Sequence, residues 1–182
     1  MKKTCSRYPL FPAMLSMLFA WGCGSGISAA NPELAACSGA VAERALQYAH
    51  QYVSAETEYE YGGQDPLRAI KIDCSGLVVN CYAYAAADAG YRLPFGDAAV
   101  IDFFTRWSVP ADKPRPGDLI FMGDDPSRPS HIALFVTEES GEIFFIDATY
   151  QPENSINGVS LRSYPAGDSR VLSFGIILLL GD

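Results

Sequence analysis

Three side chains that could together break an amide bond stand far apart in this chain: Cys74, His131 and Asp147. A thiol becomes a nucleophile by losing its proton, and an imidazole within hydrogen-bond range is an effective acceptor. A carboxylate on the second ring nitrogen then fixes the tautomer and the direction of the ring. Cys74 follows Asp73 and opens a run in which Leu77, Val78, Cys81, Tyr84 and Ala85 recur at three- and four-residue spacing. That spacing predicts a helix with one apolar stripe, stopped near Gly90. Cys74 then falls in the first turn, where amides are unpaired and the macrodipole is positive, a setting that favours thiolate. Asp73 works against this, because a neighbouring carboxylate raises a thiol's pKa. An imidazole is therefore needed as well.

The elements that must bring these groups together are a helix and a hairpin. Residues 130–136 read as a strand with His131 on the same face as Ala133 and Phe135. Glu138-Glu139-Ser140-Gly141 reads as a reverse turn, and residues 143–148 as the returning strand, with Asp147 on the face of Phe145 and Ile143. Pairing His131 directly with Asp147 puts Thr137 opposite Gly141 and leaves a three-residue loop with glycine at its bulge position. A slip of one residue would put the two on opposite faces. Before Cys74, Val41, Ala45, Leu46, Ala49 and Val53 predict a helix capped by Ser38, and Gly62-Gly63 predict a loop. Phe103, Phe104 and Trp107 belong to a short helical piece, read as core. After the Pro116-Gly117-Asp118 turn, residues 119–122 form a buried strand, and residues 171–180 form another. Helices followed by antiparallel strands predict an α+β fold.

The chain has 182 residues, enough for one domain. Thirteen Lys and Arg face 21 Asp and Glu, a net charge of −8. Three of the bases, Lys2, Lys3 and Arg7, lie in the first thirty residues, where there is no acid, so the body is more acidic still. Such a balance argues against nucleic acid or anionic lipid as a partner through a basic face. With only His50 and His131 present, no Cys/His grouping has zinc spacing, and no phosphate-cradling glycine loop occurs.

Residues 1–30 read as an export signal: a basic start, an apolar stretch over residues 8–21 too short for a comfortable membrane span, then small residues through Ala30. Plain cleavage and lipidation at Cys23 are the two leading alternatives. Cys37, preceded by Leu34-Ala35-Ala36, is a third. The expectation is an exported protein, placed in the periplasm or cell envelope, with residues 31–182 as a single domain. Any membrane attachment is expected through a lipid alone. Once the signal is removed, Cys37 and Cys81 either pair as a disulfide or remain buried thiols.

Four motifs occur in order: Tyr59-Glu60-Tyr61-Gly62-Gly63, Asp73-Cys74-Ser75-Gly76-Leu77-Val78, Pro116-Gly117-Asp118-Leu119-Ile120-Phe121 and Ser130-His131-Ile132. Together they resemble the NlpC/P60 cysteine peptidases, from about residue 40 to the end. The resemblance implies a papain-like α+β fold, with N-terminal helices packed on an antiparallel sheet. It implies hydrolysis of peptidoglycan stem peptides, usually between γ-D-glutamate and the diamino acid, without cofactor or metal. Cys74 is the implied nucleophile, His131 the base, Asp147 the orienting residue and Tyr59 the tyrosine beside the thiol. Asp73 and Ser75 match positions that in some members contact the free amine of the stem peptide. Tyr61 and Ser130, from the same motifs, join them as substrate-binding candidates. The third polar residue is commonly histidine in that family; here it is Asp147, with Gln151 and Asn154 as nearby alternatives. Two other readings are a different thiol amidase or acyltransferase on this scaffold, and an inactive muropeptide-binding protein.

Overall fold

The computed structural model describes residues 33–64 and 70–181, and the leader expected over residues 1–30 lies outside them. A short strand, β1 (Leu34–Ala36), leads into helix α1 (Gly39–Val53). The Ser38 hydroxyl accepts from the Val41 amide at 3.4 Å, satisfying one of the orphan donors of the first turn. Val41, Ala42, Ala45, Leu46, Ala49 and Tyr52 bury the inner face. Strands β2 (Thr57–Tyr59) and β3 (Ile70–Ile72) pair in parallel and deliver the chain to helix α2 (Cys74–Asp88). Gly90, at φ 73°, follows the helix where the sequence predicts its end.

The α2 stripe needs one correction. Tyr84 is 40% exposed, while Val79, Tyr82 and Ala86 are buried. The helix is covered on more than one face, so the narrow stripe drawn from spacing does not separate inside from outside. Tyr82 satisfies its buried hydroxyl by donating to the Gly117 carbonyl at 2.8 Å.

The remaining elements are β4 (Tyr91–Arg92), α3 (Val100–Thr105), β5 (Ser108–Pro110), β6 (Leu119–Met122), β7 (His131–Glu139), β8 (Glu142–Gln151), β9 (Ile156–Pro165) and β10 (Val171–Gly181). The main sheet runs β1-β10-β6-β7-β8-β9 with antiparallel pairs throughout, and β4 and β5 also pair with β10. Alternation sorts its residues. Leu119, Phe121, Ile132, Leu134, Ile146 and Ala148 join the helices in the larger core, while Ile120, Met122, Ala133, Phe135, Ile143 and Phe145 form a second cluster. The architecture is α+β, as expected.

The Pro116-Gly117-Asp118 turn is a joint between the helices and the sheet. A side chain on Gly117, at φ 91°, would meet the Ala42 carbonyl oxygen at 1.9 Å, so only glycine lets the turn lie on α1. Asp118 is fully buried and takes hydrogen bonds from the Arg115 amide at 2.8 Å and from its guanidinium at 3.1 and 3.2 Å. Arg115 also donates to the Cys37 carbonyl at 3.2 Å, tying in the segment before α1.

The β7–β8 hairpin departs from the expected register. Glu139 pairs with Glu142 across a two-residue turn, with Ser140 and Gly141 at φ 54° and 80°. Both central residues at positive φ suit the right-handed twist of the strands. The bulge lies at Val136 instead, between the Phe135–Phe145 and Thr137–Phe144 pairs. Extrapolated from the turn without it, the register would put His131 and Asp147 on opposite faces. The extra residue restores a common face, with Asp147 diagonal to His131 instead of directly opposite.

Cys37, Cys74 and Cys81 are free thiols, which settles the disulfide alternative against the pair. Burial, reinforced by the Asp118 charge, pushes the Cys37 thiol up to about 12. Leu34–Ala36 pair with β10 and the Cys37 amide donates to the Ile177 carbonyl at 2.8 Å, a placement at odds with a lipid on Cys37.

Candidate active site

Asp73, the N-cap of α2, places Cys74 at the first helical position. Its carboxylate accepts from the Gly76 amide at 2.7 Å, the Ser75 hydroxyl at 3.0 Å and the Gly62 amide at 2.8 Å. The last bond pins the Gly62-Gly63 loop over the helix end. A side chain on Gly76 would strike the Gly63 carbonyl oxygen at 2.4 Å, so the two glycine motifs are two sides of one close contact. Asp73 and Ser75 both line the cleft, yet the carboxylate already serves the helix start.

His131 opens β7 opposite Met122. Its Nε2 lies 2.6 Å from Oδ2 of Asp147, which leaves Nδ1 as the nitrogen for the sulfur. Burial opposes a charged ring, but the hydrogen bonds the ring donates to the Asp147 carboxylate and the Cys74 sulfur outweigh it and hold His131 up at about 10. Asp147 is fully buried; burial raises its pKa, but His131 and Arg162 more than compensate and keep it below the ordinary carboxylate range.

A further contact of Asp147 was missed in the sequence. Arg162, on β9 opposite Phe145, donates from Nε to Oδ1 of Asp147 at 2.9 Å and from Nη2 to Oδ2. Its side chain is 9% exposed, and its guanidinium carbon lies 5.2 Å from the Phe145 ring centre and 5.6 Å from that of Tyr164. β9 itself was not foreseen, since one face carries Ser160, Arg162 and Tyr164 and the other includes the exposed Leu161, which leaves no apolar alternation. A basic residue at an inward position of such a strand was the only available signal.

These groups border a cleft of about 620 Å³ that runs from Tyr59 and Tyr61, past Asp73, Cys74 and Ser75, to Arg128, Ser130 and His131. Residues 97–101 supply a further wall, joined to the first by a hydrogen bond from Gln64 to Asp97. Tyr59 is anchored from behind, its amide donating to the Asn157 side chain at 2.9 Å. Burial, then the charges of Cys74 and Asp73, push its phenol pKa up, so Tyr59 stays a proton donor at neutral pH. Tyr61 is 90% exposed at the rim. Ser130 fixes the approach to β7 through its amide, which donates to the Met122 carbonyl at 2.9 Å. Asn154 donates to the Gln151 side chain at 3.2 Å at the end of β8, and it is Asp147 that meets the imidazole.

Residues 56–166, well over half the chain, match the NlpC/P60 family. The chain belongs to the NlpC/P60 family. Two solved structures are similar to this NlpC/P60 protein at 11% identity and a TM-score of 0.48: the crystal structure of Ly7917, and that of Ly7917 with the hydrolyzing product of MDP. The similarity covers 77% of this chain and 61% and 62% of the other two, so the chain spans about three-fifths of their length. No curated protein matches it.

The pKa directions give the NlpC/P60 protein a definite pH response. His131, raised from 6.5 to about 10, adds stability that is complete below pH 6.5 and is lost as pH rises through about 10. Asp147, lowered from 3.8, adds stability present above that value and lost as pH falls below it. Urea titrations from pH 4 to 10 are expected to show a midpoint falling on the alkaline side. In His131→Ala the alkaline slope should flatten; an equal slope would assign it to other groups.

Proposed function

We propose that the protein is an exported cysteine endopeptidase that cuts peptidoglycan stem peptides between γ-D-glutamate and the diamino acid. The observation that carries this reading is the line of thiol, imidazole and carboxylate, with Cys74 and His131 on one cleft and Nε2 of His131 at 2.6 Å from Asp147. Membership of the NlpC/P60 family supports the substrate class, and the signal-like features of residues 1–30 fit an envelope location.

In the proposed cycle His131 already carries the proton given up by Cys74, in keeping with its raised pKa, and the sulfur attacks the scissile carbonyl carbon. The charge that develops on the carbonyl oxygen is met by first-turn amides of α2 and by the Tyr59 hydroxyl. The Gly76 amide is already taken by Asp73, so those of Cys74 and Ser75 are the available pair. The imidazolium then protonates the departing amine, the C–N bond breaks, and a thioester remains on Cys74. Water, deprotonated by His131, attacks that thioester and regenerates the thiol. Asp147 holds the ring through both halves. Asp73 and Ser75 remain candidates for the substrate's free amine, with Tyr61 and Ser130 along the same groove.

The test is a digest of purified muropeptides by the mature protein, read by mass spectrometry. The expected products are a fragment ending in γ-D-glutamate and one with a new amine on the diamino acid. Cuts at another amide would move the assignment to a different thiol amidase. Absence of any new amine would sink the peptidase reading.

A further inference from the structure

Asp147 carries one charge and meets two cations. The guanidinium of Arg162 engages both carboxylate oxygens, Nε on Oδ1 at 2.9 Å and Nη2 on Oδ2, and Oδ2 is also the oxygen 2.6 Å from Nε2 of His131. A fork of this kind fixes the plane of a carboxylate, which a single-point contact cannot do. Arg162 is absent from the lining of the catalytic cleft, but it lines a separate cavity of about 210 Å³, which His131 also borders. Its contact with the catalytic line is therefore through Asp147, which in turn meets His131.

We propose that Arg162 is a positioning residue of the site: its fork aims Oδ2 at the imidazole and takes up part of the carboxylate charge, so that His131 faces a carboxylate shared with a guanidinium rather than a bare anion. The inference rests on the thiol-hydrolase reading and concerns how strongly the imidazole holds its proton. A buried carboxylate alone would hold the imidazolium too firmly to release it when thiol and leaving amine must exchange protons. The Arg162 charge on the far side offsets that pull.

The other charged or titratable groups around this pair come from four elements. Cys74 of α2 faces the ring, and Tyr164 of β9 lies 3.5 Å from Arg162 Nη1. Asp124, from the loop after β6, lines the reverse cavity. Arg170, ahead of β10, lines it too, but is committed to Asp168 at 2.7 Å and stacks 3.8 Å from the Tyr164 ring centre. Among the described residues, Arg162 is thus the cation in direct contact with the Asp147 carboxylate besides the imidazole itself.

The chain has two histidines, so the His131 ring can be followed by NMR as pH is varied. In Arg162→Met the His131 midpoint is expected to rise by about half a pH unit or more, as the full carboxylate charge falls on the ring. The kcat should fall about tenfold with KM little changed, since Arg162 does not touch substrate. Arg162→Lys, which keeps charge and loses the fork, should leave the midpoint near that of the wild type and still lower kcat. Asp147→Asn combined with Arg162→Met should bring the midpoint below the wild-type value and recover stability lost in the single arginine variant.

An unmoved or lowered midpoint in Arg162→Met overturns the proposal, as does a kcat unchanged beside a lower melting temperature. If Arg162→Met does not fold, Arg162→Lys decides, and wild-type kcat there sinks the idea. A wild-type protein that cuts no muropeptide defeats the peptidase reading and takes the kcat arm with it. The NMR midpoints still report whether Arg162 governs the ring.

Discussion

Cys74→Ala is expected to lower amine release from muropeptides by about 10⁴-fold or more while leaving the protein folded. The size follows from the chemistry: without sulfur no thioester can form, and His131 has no proton to take from residue 74. Folding should survive because the helix start is held by Asp73, whose carboxylate caps the Gly76 amide at 2.7 Å independently of the thiol. Cys74 is buried but small, so its loss removes little apolar surface. Circular dichroism and thermal unfolding of the variant should match the wild type within a few degrees. Equal rates for the two proteins would remove Cys74 from the chemistry.

The second large effect is on stability. Asp147→Ala should destabilise the fold by about 3–5 kcal/mol, the cost of leaving a buried charge without its partner. The residue is fully buried, and Arg162, at 9% exposure, has its fork committed to it. Alanine strands that guanidinium against the Phe145 and Tyr164 rings, 5.2 and 5.6 Å from their centres, and removes the anion that favours a charged His131. Asp147→Asn should cost less, since the amide oxygen can still accept one bond. The check is the urea midpoint at pH 6.5, with the slope unchanged. A loss under about 1 kcal/mol would mean that Arg162 finds water or another acceptor, and that the pair holds the fold together less than its burial implies.

Much of the site was legible because its chemistry is written in local letters. Asp73-Cys74-Ser75-Gly76 announces a capped helix start, and Gly76 is needed for the loop that the Gly62-Gly63 pair announces. Helices α1 and α2 and strands β6, β7, β8 and β10 carry enough apolar periodicity or length to be placed from sequence. Where the reading failed, the cause was non-local. Tyr84 looks like core by spacing, but which sides of α2 are covered depends on α1 and the sheet. Arg162 reads as an ordinary surface base until β9 is paired with β8, because only tertiary register puts it against Asp147. The direct His131–Asp147 pairing was close in space and wrong in register, since a bulge at Val136 leaves no mark in an all-apolar run.

That single surplus residue makes parity a rule for this strand. While the bulge stays, chain-length changes between the imidazole and the tip of the hairpin keep His131 on the face of Asp147 only in steps of two, whereas loss of one residue together with the bulge leaves the pairing beyond it as it is. An odd step that keeps the bulge points the ring at the wrong side of the sheet while leaving every motif spelled correctly.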